Sequence, residues 1–173
     1  IVRLVGSEMC IRDRLKDQNG IYWDPLTGYI NHENLENYDA IINLCGEKIA
    51  SFNPFFKNKN KLISSRVSTN LILSKTIAKL VNPPKYFITA SATGIYKPTK
   101  RRITESGKLN TGFLAQLALE WEEASKFYDN GKTKIINLRL GQVISPKSFY
   151  FKALSNITKS VSYTHLRAHE TYD

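Results

Sequence analysis

Residues 83–96 read PPKYFITASATGIY, and this stretch decides the fold. The two prolines end any helix before them, because proline lacks a backbone donor and disfavours helix in the residue it follows. Residues 86–90 (YFITA) are then a short apolar run of strand-forming residues, the pattern of a strand buried on both faces. Thr89, Ser91 and Thr93 crowd hydroxyls around its end. Such a segment suits polar recognition of a ligand, and it equally suits an ordinary turn.

The same grammar repeats on either side. Residues 40–44 (AIINL) and 134–138 (KIINL) are apolar runs of strand length. Between the first two lies a helical spacing over residues 61–81, with Leu62, Ile63, Val67, Leu71, Ile77 and Leu80 as the apolar positions. A second helix is predicted over residues 112–130. Its core face carries Phe113, Leu114, Leu117, Trp121, Ala124 and Tyr128, and Asn130-Gly131 ends it. Glu120, Glu122 and Glu123 are expected on its polar face. Strand–helix–strand–helix–strand predicts an α/β fold, a Rossmann-type doubly wound parallel sheet with helices on both faces. Upstream, residues 20–30 (GIYWDPLTGYI) carry turn signals and read as a hairpin, or as a loop after an earlier strand.

The 173-residue chain is 42% hydrophobic and 11% aromatic, which excludes a disordered polymer. No apolar run approaches the ~20 residues of a membrane span. Net charge is +10. The lysines are scattered, with one tighter cluster at Lys97, Lys100, Arg101 and Arg102. This pattern fits a solvated basic surface or an anionic cofactor better than a nucleic acid.

The two ends are related at the level of codons. Codons can be chosen for residues 8–13 (EMCIRD) whose reverse complement reads residues 161–166 (VSYTHL), and the match continues outward in register. Protein folding gives no reason for this, whereas a DNA adapter ligated to both ends of a fragment does. Residues 1–14 and 160–173 are therefore expected to be adapter-derived and non-native. Residues 15–159 are expected to be part of a longer protein. Outside the tails, Cys45 is the remaining cysteine and His32 the remaining histidine. A disulfide, a cysteine metal site and a histidine-centred triad are thus unsupported, and a reducing cytoplasm is the simplest setting.

In open parallel sheets ligands bind at the carboxyl ends of the strands. Three places answer to that rule. One is Leu44-Cys45-Gly46-Glu47, where glycine lets backbone approach a ligand. Another runs from Thr89 to Tyr96. The last is Arg139-Leu140-Gly141, where an Arg just beyond a strand could bind phosphate or an internal carboxylate.

These pieces, in this order, resemble one family. YDAIINLCGE, SSRVSTNLIL, PPKYFITASATGIY, TESG, GFLAQLALEWEEAS and INLRLGQVISP together look like the atypical extended short-chain dehydrogenase/reductases. They are most similar to the NAD-dependent epimerase/dehydratase-like "epimerase family" branch, over nearly all of residues 20–146. The resemblance implies a Rossmann fold binding a nicotinamide cofactor, with NADP(H) favoured over NAD(H). It implies cofactor contacts at Leu44, Cys45, Gly46 and Glu47, and at Arg139 and Gly141 near the nicotinamide. It places Arg66 on a helix facing the cofactor cleft, where a plain surface Arg is the alternative. The Ser91 position implies a hydroxyl bonded to the reacting substrate oxygen.

Two departures qualify it. The family's glycine-rich phosphate loop would lie upstream of Leu15, so the chain is expected to lack the first βα unit, and likewise a C-terminal substrate lobe. The family's Tyr-x-x-x-Lys pair, which moves the proton and holds the ribose, falls on Phe113 and Leu117. Neither can do that chemistry. Tyr96, next to Lys97, is the candidate substitute acid. The expectation is a fragment of an NAD(P)-binding oxidoreductase with a small-molecule substrate, inactive as this chain alone. The alternative is a cofactor-binding module without redox turnover. Neither nucleic acid nor membrane is expected as a partner, and no metal site.

Overall fold

The structure, a computed structural model, describes residues 4–6, 21–25, 27–47, 49, 59–143, 145, 155, 156 and 158. It divides into two units, residues 1–141 and 142–173. The first holds both sheets.

The predicted strands form where the apolar runs lie. β4 (Ala40–Asn43), β5 (Tyr86–Ala92) and β6 (Lys134–Leu140) make a parallel three-stranded sheet in that order. Ile41 aligns with Phe87 and Phe87 with Ile135, and in the same way Asn43 aligns with Thr89 and Thr89 with Asn137. β5 and β6 each run two residues past the predicted ends. Ser91 and Arg139 therefore lie within the strands, as direct register partners, rather than just beyond them.

A second sheet comes from the upstream piece. β2 (Ile21–Asp24) and β3 (Tyr29–Ile30) pair antiparallel, so the hairpin alternative holds. Gly28 turns the chain at φ 75°, a conformation disfavoured for any residue with a Cβ. Parallel to β2 lies β1 (Leu4–Gly6), drawn from the stretch expected to be adapter-derived. An open strand edge pairs through backbone groups, so short pairing of this kind makes little demand on side-chain identity.

The first predicted helix forms in three consecutive pieces: α1 (Lys59–Ile63), a π-helical turn (Ser64–Ser68) and α2 (Thr69–Ile77). The second is α3 (Phe113–Lys126). Of the two helical layers expected, the described residues supply one. α2 reaches Asn43 and Thr89, and α3 reaches Ser91, Asn137 and Arg139, all on the same side of the sheet. Successive crossovers of one hand, advancing in one direction along a sheet, leave their helices on one face. On the other face Leu138 and Leu140 are 40% and 44% exposed.

The core lies between β2, β4, β5 and α2. Trp23, Leu35, Ile41, Leu73 and Phe87 are its fully buried members, joined by Ile21, Ile77 and Leu80. Each such side chain contributes about 1.5–3 kcal/mol on burial. A polar network runs beside it. Asn70 accepts from Asn43 Nδ2 at 2.6 Å, and its own Nδ2 donates to Thr89 Oγ1 at 2.9 Å and to the Trp121 carbonyl at 3.0 Å. That network ties α2 to β4, β5 and α3.

Candidate functional site

The carboxyl ends of β4, β5 and β6 lie side by side, and the sequence-predicted residues gather there. Ser91 is buried on β5, with its side chain toward α3. Its Oγ donates to Glu122 Oε1 at 2.6 Å. Arg139, the neighbour of Ser91 across the ladder, grips the same carboxylate. Its Nε donates to Oε1 and its Nη2 to Oε2, both at 2.8 Å. The parallel pair of bonds is the fork geometry that makes Arg–carboxylate contacts strong. Of the two alternatives for Arg139, the structure thus takes the internal carboxylate.

Arg139 also reaches outward. Nη1 donates to the Tyr96 hydroxyl and to the Glu105 carbonyl, the latter at 3.1 Å. The guanidinium lies 5.1 Å from the centre of the Tyr96 ring. Ser91, Glu122, Arg139 and Tyr96 are therefore one connected chain. The cation beside Tyr96 is not its sequence neighbour, as expected, but one 43 residues away. Lys97 is exposed, and its backbone pairs with Lys108 across the loop. The loop bends at a 3-10 turn, Thr93–Ile95, and closes with a bridge from Tyr96 to Leu109. This folding turns Tyr96 back toward β6.

Glu122 corrects the expectation that it lies on the polar face of α3. It is 4% exposed. It shares a stripe with Ala115, Ala118 and Ser125, three and four residues apart, which are all buried. That spacing was the available signal, and the presence of a carboxylate outweighed it. Burial pushes the Glu122 carboxyl up, but the hydrogen bonds from Arg139 and Ser91 and the charge of Arg139 hold it below the usual value. It is an ionised carboxylate. The Arg139 guanidinium is held charged by Glu122 even more firmly than usual.

The second group lies at the end of β4. Arg66, in the π-helical turn, is 8% exposed, so it is not a plain surface Arg. Its Nη2 donates to the Glu47 carbonyl at 2.9 Å and its Nη1 to Ser65 Oγ at 3.3 Å. Ser65 Oγ in turn accepts from the Glu47 amide at 3.0 Å. A Cβ on Gly46 would come within 3.2 Å of the Arg66 guanidinium, so glycine permits this close approach. The guanidinium also lies 5.2 Å from the Trp121 ring centre. Burial lowers the Arg66 pKa, and the charge of Glu47 partly offsets this. π-Helical turns concentrate at functional sites, and this one sets a cation against the strand-end backbone.

Leu44 and Gly46 are exposed beside Arg66, and Cys45 and Glu47 are half-buried. Accessible backbone flanked by a buried cation fits the ribose and diphosphate of a dinucleotide. Gly141 is exposed just past β6 and would tolerate a Cβ without a clash. Leu117, where the resemblance implies the family's Lys, is packed into the core at 3% exposure. Phe113, where the resemblance implies the family's Tyr, has the Lys59 ammonium 5.1 Å from its ring centre.

No family model matches the chain. An epimerase family protein of Mycobacterium bovis is 35% identical over 127 residues, covering 73% of this chain and 42% of that protein. The nucleoside-diphosphate sugar epimerase of Corynebacterium glutamicum shares the fold at a TM-score of 0.69 and 23% identity, over 85% of this chain and 31% of that one. The human epimerase family protein SDR39U1, solved with NADPH, gives 0.67 and 23%, over 83% of this chain and 48% of that one. The chain thus spans less than half the length of these relatives. The resemblance read from the sequence is borne out, and the fold is the partial Rossmann-type fold of the epimerases and short-chain dehydrogenase/reductases. Among the described residues no helix is long and apolar enough to cross a membrane.

Proposed function

We propose that this chain is part of an NAD(P)(H)-dependent, epimerase- or dehydratase-like oxidoreductase acting on a small molecule. One observation carries the proposal. Ser91, Tyr96, Glu122 and Arg139 form a single hydrogen-bonded chain at the strand ends, beside the Arg66 and Gly46 strand end of β4. Ser91 and Tyr96 are the catalytic pair in this reading. Leu44, Cys45, Gly46, Glu47, Arg66, Arg139 and Gly141 hold the cofactor, Arg139 while bonded to Glu122 and Tyr96. The bound cofactor supplies the hydride. NADP(H) is favoured because the human relative was solved with NADPH. The setting is cytoplasmic, and neither nucleic acid nor membrane is a partner.

Phe113 and Leu117 favour a second reading, a cofactor-binding module without turnover. The separating experiment is calorimetric titration of the complete protein carrying this segment with NADPH and NADH, followed by NADPH oxidation with a panel of ketones and aldehydes. Binding with oxidation supports the oxidoreductase. Binding without oxidation supports the module. Binding of neither nucleotide sinks both.

A further inference from the structure

We infer that Glu122 is a positioning residue that makes Ser91 a hydrogen-bond acceptor toward the substrate and leaves Tyr96 as the donor. The inference rests on the reading in which Ser91 and Tyr96 face the reacting group.

A serine hydroxyl has one proton and two lone pairs. Glu122 is ionised and bound bidentately by Arg139, so it can only accept. The 2.6 Å contact therefore consumes the one Ser91 proton. What Ser91 has left for a ligand is lone pairs. Tyr96 has the opposite polarity. Arg139 has no acceptor to offer, so the Tyr96 oxygen accepts from Nη1 and its proton stays free. One ion pair thus fixes the polarity of both hydroxyls.

The consequence is a substrate class. A ketone oxygen can use Tyr96 but cannot bond to Ser91, since both would be acceptors. A hydroxyl can use both, donating to Ser91 and accepting from Tyr96. The site is built for a carbinol, or for a group that likewise presents its own O–H or N–H to Ser91.

Neutron diffraction from D2O-exchanged crystals tests this directly. A deuteron on Ser91 Oγ in line with Glu122 Oε1, a bare carboxylate, and a Tyr96 deuteron turned away from Nη1 are expected. A deuteron on Glu122, or a Ser91 deuteron pointing elsewhere, overturns the inference. The functional counterpart uses the complete protein with cyclohexanol and NADP+, or cyclohexanone and NADPH, as probes. S91A should raise KM for the alcohol roughly tenfold, the worth of about one hydrogen bond, and barely move KM for the ketone. E122Q, whose amide can donate to Ser91, should narrow the difference between the two. Equal KM shifts for both probes would overturn the inference. If the wild type turns over neither probe, the deuteron positions still decide the polarity. NADPH binding without turnover would count against the oxidoreductase reading, not against Ser91 as acceptor.

Discussion

Ser91 and Arg139 sit opposite each other across β5 and β6, and both bond to the same oxygen of Glu122. A parallel ladder brings together side chains 48 residues apart, and a helix between them supplies the carboxylate that neither strand contains. The site is therefore assembled by the crossover itself. Its polarity follows from the ion pair, and its stability should follow the same pair.

The first expectation concerns that pair. Removing one partner of a mostly buried pair strands the other charge away from water. Arg139→Met should destabilise the protein by about 2–4 kcal/mol, somewhat below the usual cost because the Arg139 side chain keeps 24% of its exposure. Arg139→Lys should recover part of this, since it restores the charge without the fork. Urea unfolding midpoints measure both. Equal losses for the two variants would mean that the fork, and not the charge, carries the stability.

Acid should reveal Glu122 separately. Its folded pKa lies below the ordinary 4.5. Stability from such a group is fully present above the unfolded value and is lost as pH falls through the folded value. Arg139, Lys126 and Ser91 are the groups that hold it there. The wild type should therefore exceed Glu122→Gln in stability at neutral pH, with the gap closing below about pH 4.5. Chemical unfolding at a series of pH values is the measurement, and a gap independent of pH would contradict the assignment.

Asn70 should be the costliest polar side chain to remove outside the site. It bonds Asn43, Thr89 and the Trp121 carbonyl at once, in a buried setting. Asn70→Ala leaves three partners short, each costing about 1–3 kcal/mol if unsatisfied, with partial relief from water entering the gap. Asn70→Asp should fare little better, because it cannot donate. Thermal unfolding of both variants would show it, and a loss under about 1 kcal/mol would argue that the network is slack.

Much of this was legible in the sequence, for definite reasons. The runs AIINL, YFITA and KIINL gave the parallel strands because strands buried on both faces read as continuous apolar segments. The strand ends gave Ser91 and Arg139. Their direct pairing was not readable, because it depends on each strand running two residues past its apolar run. Residue type puts Glu122 on the polar face, whereas its spacing from Ala115, Ala118 and Ser125 puts it inward. Sequence adjacency offers Lys97 as the partner of Tyr96, whereas the loop folds Tyr96 onto Arg139. In each case a polar side chain moved into place through a long-range contact, which hydrophobic periodicity does not encode.

Cofactor binding should depend on Arg66. The guanidinium already donates to the Glu47 carbonyl and lies against Gly46. Arg66→Lys keeps a cation but loses the planar fork and the stacking on Trp121. NADPH affinity, measured by fluorescence titration, should fall roughly tenfold for Lys and further for Met, in keeping with the loss of one charge-assisted hydrogen bond. Gly46→Ala should lower it too, by pushing the guanidinium aside. Unchanged affinity in the Arg66 variants would remove Arg66 from the binding surface.

Phe113 and Leu117 stand where the resemblance implies the family's Tyr and Lys, and the two positions should differ in what they tolerate. Phe113 is half-buried at the start of α3, next to the Lys59 ammonium, so Phe113→Tyr adds a hydroxyl where water or polar groups can reach it. It should cost less than about 1 kcal/mol. Leu117 is different, since it packs in the core at 3% exposure. Leu117→Lys buries an ammonium and should cost several kcal/mol, enough to unfold a marginal domain. The double variant should therefore be no more active than Phe113→Tyr and far less stable. Differential scanning calorimetry together with NADPH oxidation reads both quantities. A stable Phe113→Tyr, Leu117→Lys protein with raised turnover would show that the departure is not built into the packing. Unfolding confined to the Leu117 variants would show that α3 has committed this position to the core.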